Sequence, residues 1–253
     1  MPEYDPGVPM WVDLSTSDVD GARRFYGGMF GWEAQDLGPD AGGYNMMRLR
    51  GKMVAGLGPV MNPQQPPAWN TYVCTTNAAT TAQKVREAGG TVVMEPFDVM
   101  GQGHMGVFQD PGGAFISVWQ PGQHRGAEIA WEPNSFSWAE LATRDIETAK
   151  RFYGQVFGWG NETHGDYTEW KVNGRSIAGA MPMGDRYPPQ VPPHWLVYFT
   201  VEDCDASASK AQQLGGQVVV PPMDVEPGRF SVLRDPQGAS FGVIKFKSDY
   251  SQR

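Results

Sequence analysis

Hydrophobic and polar positions divide the chain into short segments, each of which predicts one strand or one helix. WVDLST at 11–16 is typical of a strand, and the following SDVDGARRFYGGMFG has hydrophobic residues at helical spacing from Val19 to Met29. Ser17 or Asp18 suits the N-cap of that helix. Three strand-length segments, WEAQDL, YNMMRL and KMVAGLGPV, come next and are divided by Gly, Pro and Asp. Together they predict one βαβββ unit.

The same order of elements follows at once. NTYVCTT predicts a strand, residues 78–88 predict a helix, and Gly89 and Gly90 suit its C-terminal end. TVVMEP, HMGVFQD and AFISVWQ then predict three more strands. The first half of the chain therefore contains two βαβββ units.

An internal repeat divides the chain in two. RFYGGMFGW at 24–32 recurs as RFYGQVFGW at 151–159, an offset of 127 with seven of nine residues identical. The offset narrows to 125 at DPGGAFISV and DPQGASFGV, so only small loop changes separate the halves. We predict an α+β fold of four βαβββ units in two tandem domains. Their expected limits are 1–122 and 134–253, with a linker at 123–133.

In the second half, the same pattern predicts helices at 146–157 and 204–214. FSWAELAT and SFGVIKF predict its first and last strands.

Composition and charge exclude several kinds of partner. Hydrophobic residues make up 40% and charged residues 19%, which is typical of a globular protein. A net charge of -8 without a run of Lys or Arg argues against nucleic acid. The hydrophobic runs are strand-sized and the first residues lack a leader pattern, so we expect no membrane partner and a cytoplasmic location. Both a monomer and a homodimer remain possible.

Two motifs recur at fixed places in the halves. F-Y-x-x-x-F-G-W ends the first helix of each half, and D-P-x-G precedes each last strand. With four tandem βαβββ units, the chain resembles the vicinal oxygen chelate superfamily of glyoxalase I, extradiol dioxygenases and bleomycin- and fosfomycin-resistance proteins. It looks most like the two-domain, glyoxalase-like actinobacterial proteins that carry the label hydroxylase. Fold alone does not define their chemistry.

The resemblance implies that two paired units form a curved mixed sheet, or cup, with the helices outside. In this family a divalent metal binds inward-facing residues of the first and last strands of each unit. These positions fall on Trp11, Gly56, Asn70 and Ser117 in the first half and on Trp138, Gly179, Leu196 and Gly242 in the second. None is His, Glu, Asp or Cys, the usual ligands. We therefore predict no metal and no cofactor.

Tryptophan stands at the first of these positions in both halves, and two interpretations follow. Trp11 and Trp138 either fill a former metal site as core residues or line a pocket for a flat ligand. Strand alternation puts polar residues on the same faces, which favours the pocket. The predicted ligand-binding residues are Trp11, Asn70, Tyr72, Phe115, Trp119, Trp138 and Tyr198.

Asp13, Glu140 and His194 are the candidate catalytic residues. If the units of one half pair, with Trp138 opposite Leu196, Glu140 and His194 become direct neighbours at about 5.5 Å between Cβ atoms. If the halves exchange units, Asp13 takes the place of Glu140. Either pair could transfer protons or form only a structural hydrogen bond.

The other histidines, His104, His124 and His164, lie in loops or at strand ends without a matching acid nearby. We expect them on the surface.

The favoured function is a metal-free small-molecule-binding protein whose aromatic-lined cup holds a planar, largely apolar natural product or intermediate. Its partner would be a small aromatic molecule. The alternative is a metal-independent enzyme, a hydroxylase-associated isomerase, lyase or cyclase that uses the acid-His pair. A metal-dependent glyoxalase or dioxygenase is disfavoured, because the ligands are absent from the inferred positions.

Overall fold

The computed structural model describes residues 4–62, 64–185 and 187–247. Within these residues the chain forms sixteen β-strands and four α-helices. The first half contains β1 (Pro9–Thr16), α1 (Val19–Phe30), β2 (Glu33–Asp36), β3 (Asn45–Leu49), β4 (Lys52–Pro59), β5 (Ala68–Cys74), α2 (Ala78–Glu87), β6 (Thr91–Asp98), β7 (Gly103–Gln109) and β8 (Phe115–Pro121). The second half contains β9 (Phe136–Thr143), α3 (Ile146–Phe157), β10 (Gly160–His164), β11 (Tyr167–Val172), β12 (Arg175–Pro182), β13 (His194–Thr200), α4 (Cys204–Gln213), β14 (Gln217–Val225), β15 (Gly228–Arg234) and β16 (Ser240–Phe246).

Side-chain caps and left-handed glycines define the first helix of each half. The Asp18 carboxylate accepts a hydrogen bond from the Gly21 amide at the start of α1. The Asp145 carboxylate accepts one from the Thr148 amide at the start of α3. Gly31 ends α1 with a φ of 69°, and Gly158 ends α3 with a φ of 72°. These are the glycines of the two F-G-W motifs, which explains their place in the repeat.

Each half forms one mixed, open, eight-stranded sheet. The strand orders are β2-β3-β4-β1-β5-β8-β7-β6 and β10-β11-β12-β9-β13-β16-β15-β14. β1 is parallel to β4 and antiparallel to β5, and β9 repeats this with β12 and β13. The two units of one half therefore pair with each other, and the predicted α+β fold of two tandem domains is confirmed. The exact limits given above for the domains and linker stay a prediction.

The two recurring motifs hold the halves together. The Tyr26 hydroxyl of α1 donates to the Asp235 carboxylate of the second half over 3.0 Å, and Tyr153 of α3 donates to Asp110 of the first half over 2.9 Å. Tyr26 also accepts the indole N–H of Trp69. These groups are buried in a hydrophobic core that contains residues of both halves. The motif tyrosines therefore pair with the aspartates of the D-P-x-G turns across the interface.

Strand alternation separates this shared core from the opposite face of each sheet. In β1, Val12 and Leu14 belong to the shared core, whereas Trp11 and Asp13 lie on the other face. We call the Trp11 face of the first sheet the first cup and the Trp138 face of the second sheet the second cup.

Candidate functional site

A buried carboxyl group lies at the centre of the first cup. Asp13 pairs with Asn70 in the sheet, and its carboxylate accepts hydrogen bonds from the Asn70 amide at 2.8 Å and the Tyr72 hydroxyl at 2.9 Å. Tyr44, which directly precedes β3, donates a third bond over 3.1 Å. The Asp13 side chain is thus surrounded by neutral hydrogen-bond donors.

The direction of these bonds follows from the indole group of Trp11. An indole nitrogen can only donate, so the Tyr44 oxygen accepts from Trp11 over 3.2 Å. The Tyr44 proton is then free to bond Asp13. This order, from Trp11 through Tyr44 to Asp13, directs the polar hydrogens of the first cup toward the carboxylate.

The second cup repeats the arrangement with a longer acid. The Trp138 indole donates to the Tyr167 hydroxyl over 2.9 Å, and Tyr198 donates to Glu140 over 3.2 Å. Tyr167 also forms a hydrogen bond with Glu140. Leu196 stands opposite Glu140, where the first cup has Asn70 opposite Asp13, so the amide donor has no counterpart.

Glycine makes room for the tyrosines. A Cβ atom at Gly56 would overlap the Tyr44 hydroxyl, and one at Gly179 would overlap the Tyr167 hydroxyl. Gly242 is similarly required because the Tyr198 ring occupies the space beside it. Three of the inferred metal-ligand positions therefore carry glycine because aromatic side chains fill their side-chain volume.

Burial shapes the protonation of these groups. It raises the pKa of Asp13, an effect opposed by the hydrogen bonds from Asn70, Tyr72 and Tyr44. Burial also raises the pKa of Glu140, against the hydrogen bonds from its two tyrosines. The pKa values of Tyr44, Tyr72 and Tyr198 lie well above the ordinary range, chiefly through burial. The phenols stay protonated at neutral pH, and the carboxyl groups take up a proton more readily than exposed ones.

These residues do not fit the divalent metal that the fold family implies. Trp, Gly, Asn, Ser and Leu occupy the inferred positions, and tyrosine hydroxyls fill the space beside two of the glycines. In the described part of the chain, no three His, Cys, Asp or Glu side chains are grouped to hold an ion. The first strand of each half instead places a carboxyl group, Asp13 or Glu140, among phenols and indoles.

The structure brings together most of the sequence-predicted ligand residues. Trp11, Asn70 and Tyr72 lie around Asp13, while Trp138 and Tyr198 lie around Glu140. The Trp119 ring packs edge-on against Tyr72, with 6.5 Å between centroids. Phe115 lies two residues from Ser117 on the same strand face, but its side chain is 54% exposed. Whether these residues bind a ligand stays a prediction.

The predicted acid-His pair is wrong as a direct contact. Glu140 lies opposite Leu196 and His194 lies opposite Ala142, so β9 and β13 pair two residues away from the expected register. The assumption that former metal positions face each other directly caused this error. The His194 Nδ1 atom lies 2.9 Å from the Pro192 carbonyl oxygen. Pairing within halves also separates β1, which carries Asp13, from β13, which carries His194.

The sequence interpretation missed Tyr44 and Tyr167. Tyr44 directly precedes β3 and Tyr167 is the first residue of β11, and alternation gives little information about side-chain direction at the end of a strand. One signal was present: each tyrosine precedes the glycine beneath it by 12 residues, Gly56 in one half and Gly179 in the other. That shared spacing could have identified them as partners of the former metal positions.

The prediction for His124 is wrong, because this histidine is buried. Only 8% of it is exposed, and its ring packs edge-on against Trp11 at 4.4 Å and Trp119 at 5.4 Å between centroids. Neither ring nitrogen has a hydrogen-bond partner in the described residues, and burial lowers its pKa to about 4. His104 and His164 are exposed, as expected.

Two grooves on the outer surface lie away from both carboxyl groups. One of about 360 Å³ is lined by Asp20, Arg23, Arg24 and Ala34, and another of about 250 Å³ by Lys84, Glu87, Ala88 and Gln155. Both are shallow and contain no buried acid or aromatic cluster. The cups are therefore the better candidate sites on chemical grounds.

Comparison with known proteins agrees with this fold. Residues 10–118 and 135–243 match the Glyoxalase/Bleomycin resistance protein/Dioxygenase superfamily, so the chain belongs to that superfamily. The anthracycline biosynthesis protein DauV of Streptomyces sp. (strain C5) is 39% identical over 269 residues, covering 99% of this chain and 97% of DauV. The glyoxylase-like protein CFP32 of Mycobacterium tuberculosis is 40% identical, covering 96% of each chain.

Solved structures of low sequence identity share the fold. The Mn(II)-bound glyoxalase of Novosphingobium aromaticivorans has a TM-score of 0.65 and 18% identity, with 98% of this chain and 87% of that chain covered. The 2,3-dioxygenase LapB of Pseudomonas sp. KL28 has a TM-score of 0.66 and 12% identity, with coverage of 98% and 97%. Among the described residues, no helix has the length and hydrophobicity to cross a membrane.

Proposed function

We propose that the protein is a metal-free binder of a planar, largely apolar natural product or biosynthetic intermediate. The observation that carries this proposal is the repeated Trp-Tyr-carboxyl arrangement at the places where the family holds its metal. Indole and phenol rings offer flat apolar surface, and the carboxyl group at their centre can bond a hydroxyl or carbonyl of the ligand. Sequestration or delivery of such a molecule needs no metal.

The relatives support the ligand class. DauV, similar over almost its whole length, is named for anthracycline biosynthesis. Anthracyclines are flat polycyclic compounds with ring hydroxyl and carbonyl groups, which match a surface of aromatic rings around one acid. In the described part of the chain, neutral side chains donate the hydrogen bonds to both carboxyl groups, which favours a neutral ligand over an anionic one.

A binding titration tests the proposal. Protein dialysed against EDTA is titrated with quinizarin, a flat dihydroxyanthraquinone, and heat and tryptophan fluorescence are recorded. A fully saturated polycyclic alcohol of similar size serves as the control ligand. We expect saturable binding of quinizarin and a much weaker response to the control, because only a flat ring stacks on indole. Equal responses to both ligands, or none to either, would contradict the proposal.

A second candidate function has one observation in its favour. Asp13 and Glu140 are carboxyl groups whose pKa is raised by burial, the property expected of a group that exchanges a proton with a substrate. The enzyme alternative then rests on these acids and their tyrosines, without His194 as a direct partner. It requires that Glu140→Gln or Asp13→Asn abolish turnover, by about 10²–10⁴-fold, while ligand affinity stays nearly unchanged.

A further inference from the structure

The chain itself covers the aromatic end of the first cup. Residues 122–128 leave β8 and cross this end of the sheet through a series of backbone contacts. The Trp119 indole donates to the His124 carbonyl over 2.9 Å, and the Ala127 amide donates to the Met10 carbonyl over 2.9 Å. This covering segment is thus bonded to β8 and to the start of β1.

The covering segment buries the tryptophans of the first cup. Trp11 is 3% exposed and Trp119 is 6% exposed, with the His124 ring edge-on against both. Asp13 beneath them is 8% exposed and already accepts three hydrogen bonds. A ligand could reach the Trp11 ring only if the segment moved and its hydrogen bonds broke.

The second cup has an exposed tryptophan at the corresponding end. Trp131 is 40% exposed, and its ring lies edge-on to Trp138 at 5.9 Å between centroids. The Phe246 ring lies 5.6 Å from Trp131 at an interplanar angle of 31°. Trp138 is half-buried, in contrast to Trp11. These rings therefore offer accessible flat surface next to Glu140.

The backbone holds Trp131 in this place. Its φ of 65° lies in the left-handed region, which is uncommon for a residue with a large side chain. The Trp131 amide donates to the Phe136 carbonyl over 2.9 Å, which ties the residue to the start of β9. An exposed indole in a strained and hydrogen-bonded backbone is a typical feature of a binding surface.

Polar and apolar side chains are exchanged in both directions between the cups, and Glu169 and His194 of the second cup stand where the first has Met46 and Ala68. Leu196 stands where the first cup has Asn70, and Ala142 stands where it has Ser15. Glu140 replaces Asp13 with a side chain one methylene longer and accepts hydrogen bonds from the Tyr198 and Tyr167 hydroxyls. The second cup thus places the half-buried Glu140 beside tryptophan rings that solvent reaches.

From these differences, and resting on the function proposed above, we propose that the protein binds one ligand per chain, in the second cup. Trp131 and Trp138 contact the flat ring system, and the Glu140 carboxyl group bonds a hydroxyl or carbonyl at its edge. The first cup is a closed structural counterpart. The ligand class is a neutral fused aromatic compound with oxygen substituents.

Matched aromatic substitutions test this assignment. Trp131→Ala removes an exposed ring at the second cup, and Phe97→Ala removes a similarly exposed ring on the first-cup face. Both are compared with the parent in calorimetric titrations with quinizarin, and thermal melts check that each variant is folded. We expect one site per chain, affinity lowered about tenfold or more by Trp131→Ala, and affinity unchanged by Phe97→Ala.

The outcomes separate this assignment from the broader proposal. Two sites per chain, or a loss of affinity in Phe97→Ala alone, would overturn the choice of the second cup while leaving the binding function intact. Binding by Trp131→Ala at the affinity of the parent would also overturn it. If the folded parent does not bind quinizarin, the proposed function fails, and the assignment fails with it.

Discussion

Acidification should destabilise the folded protein through His124 of the covering segment. The loss of unfolding free energy follows from the burial of this imidazole. The unfolded chain binds a proton at this imidazole below about pH 6.5, whereas the folded protein holds its pKa at about 4. The contribution of His124 to the unfolding free energy is therefore constant above pH 6.5, and it decreases as the pH drops from 6.5 toward 4. At about 1.36 kcal/mol per pH unit, the loss amounts to about 3 kcal/mol.

Other buried groups act in the opposite direction, so the comparison must isolate His124. Asp13 and Glu140 have raised pKa values, and they favour the folded state when the pH is low enough to protonate them. Glu128 acts on His124 directly, because its charge favours the imidazolium. A His124→Leu variant keeps a side chain of similar volume and all these carboxyl groups. The difference between parent and variant then reports the imidazole alone.

Urea unfolding at several pH values from 7 to 4, followed by tryptophan fluorescence, measures this difference. Between pH 7 and pH 4, the parent should lose about 3 kcal/mol more unfolding free energy than His124→Leu. Most of the divergence should appear below pH 6.5. Parallel curves for the two proteins would show that His124 is not buried as a neutral ring, which would refute the reasoning.

Four further predictions follow from the same contacts. Gly179→Ala should displace the Tyr167 hydroxyl and destabilise the protein by about 1–3 kcal/mol in urea unfolding, whereas Gly184→Ala, in open space, should change it by less than about 0.5 kcal/mol. Tyr26→Phe should cost about 1–3 kcal/mol in the same assay, because Asp235 and the Trp69 indole lose a buried partner. Quinizarin affinity of the parent should change with pH as Glu140 is protonated, and Glu140→Gln should remove that change in calorimetry at two pH values. Elemental analysis after gel filtration should find much less than one divalent metal per chain, and one equivalent removed by EDTA together with binding would contradict this.

Most of the fold could be predicted because its signals are local and occur twice. The helix that ends at Gly31 and the helix that ends at Gly158 have the same apolar spacing, the same aspartate cap and the same left-handed glycine. Gly, Pro and Asp mark the strand limits in both halves. The role of the motif tyrosines was not predictable in this way, since Tyr26 bonds Asp235 across 209 residues of sequence.

The candidate site was predicted only in part, and the reasons are geometric. Alternation placed Trp138 and Glu140 on one face of β9, because the side-chain period of a strand does not depend on its partner. The pairing register is a property of two strands, and a shift of two residues preserves the face while it changes every neighbour. His194 was therefore placed on the correct strand but opposite the wrong residue.

The covering segment shows a different limit of sequence patterns. His124 lies in a stretch rich in Gly and polar residues, which predicts an exposed loop. Its burial depends on tertiary contacts with Trp11 and Trp119, which come from different strands. No local pattern carries that information.

The central claim, that an aromatic cup binds a flat small molecule without a metal, is tested most directly by calorimetric titration of EDTA-treated protein with quinizarin. The expected result is saturable binding to the metal-free protein, with the same affinity after the protein is incubated with zinc, manganese or iron(II) and excess metal is removed by gel filtration. Absence of binding by the folded protein, or binding that appears only after a metal is restored, would contradict the claim.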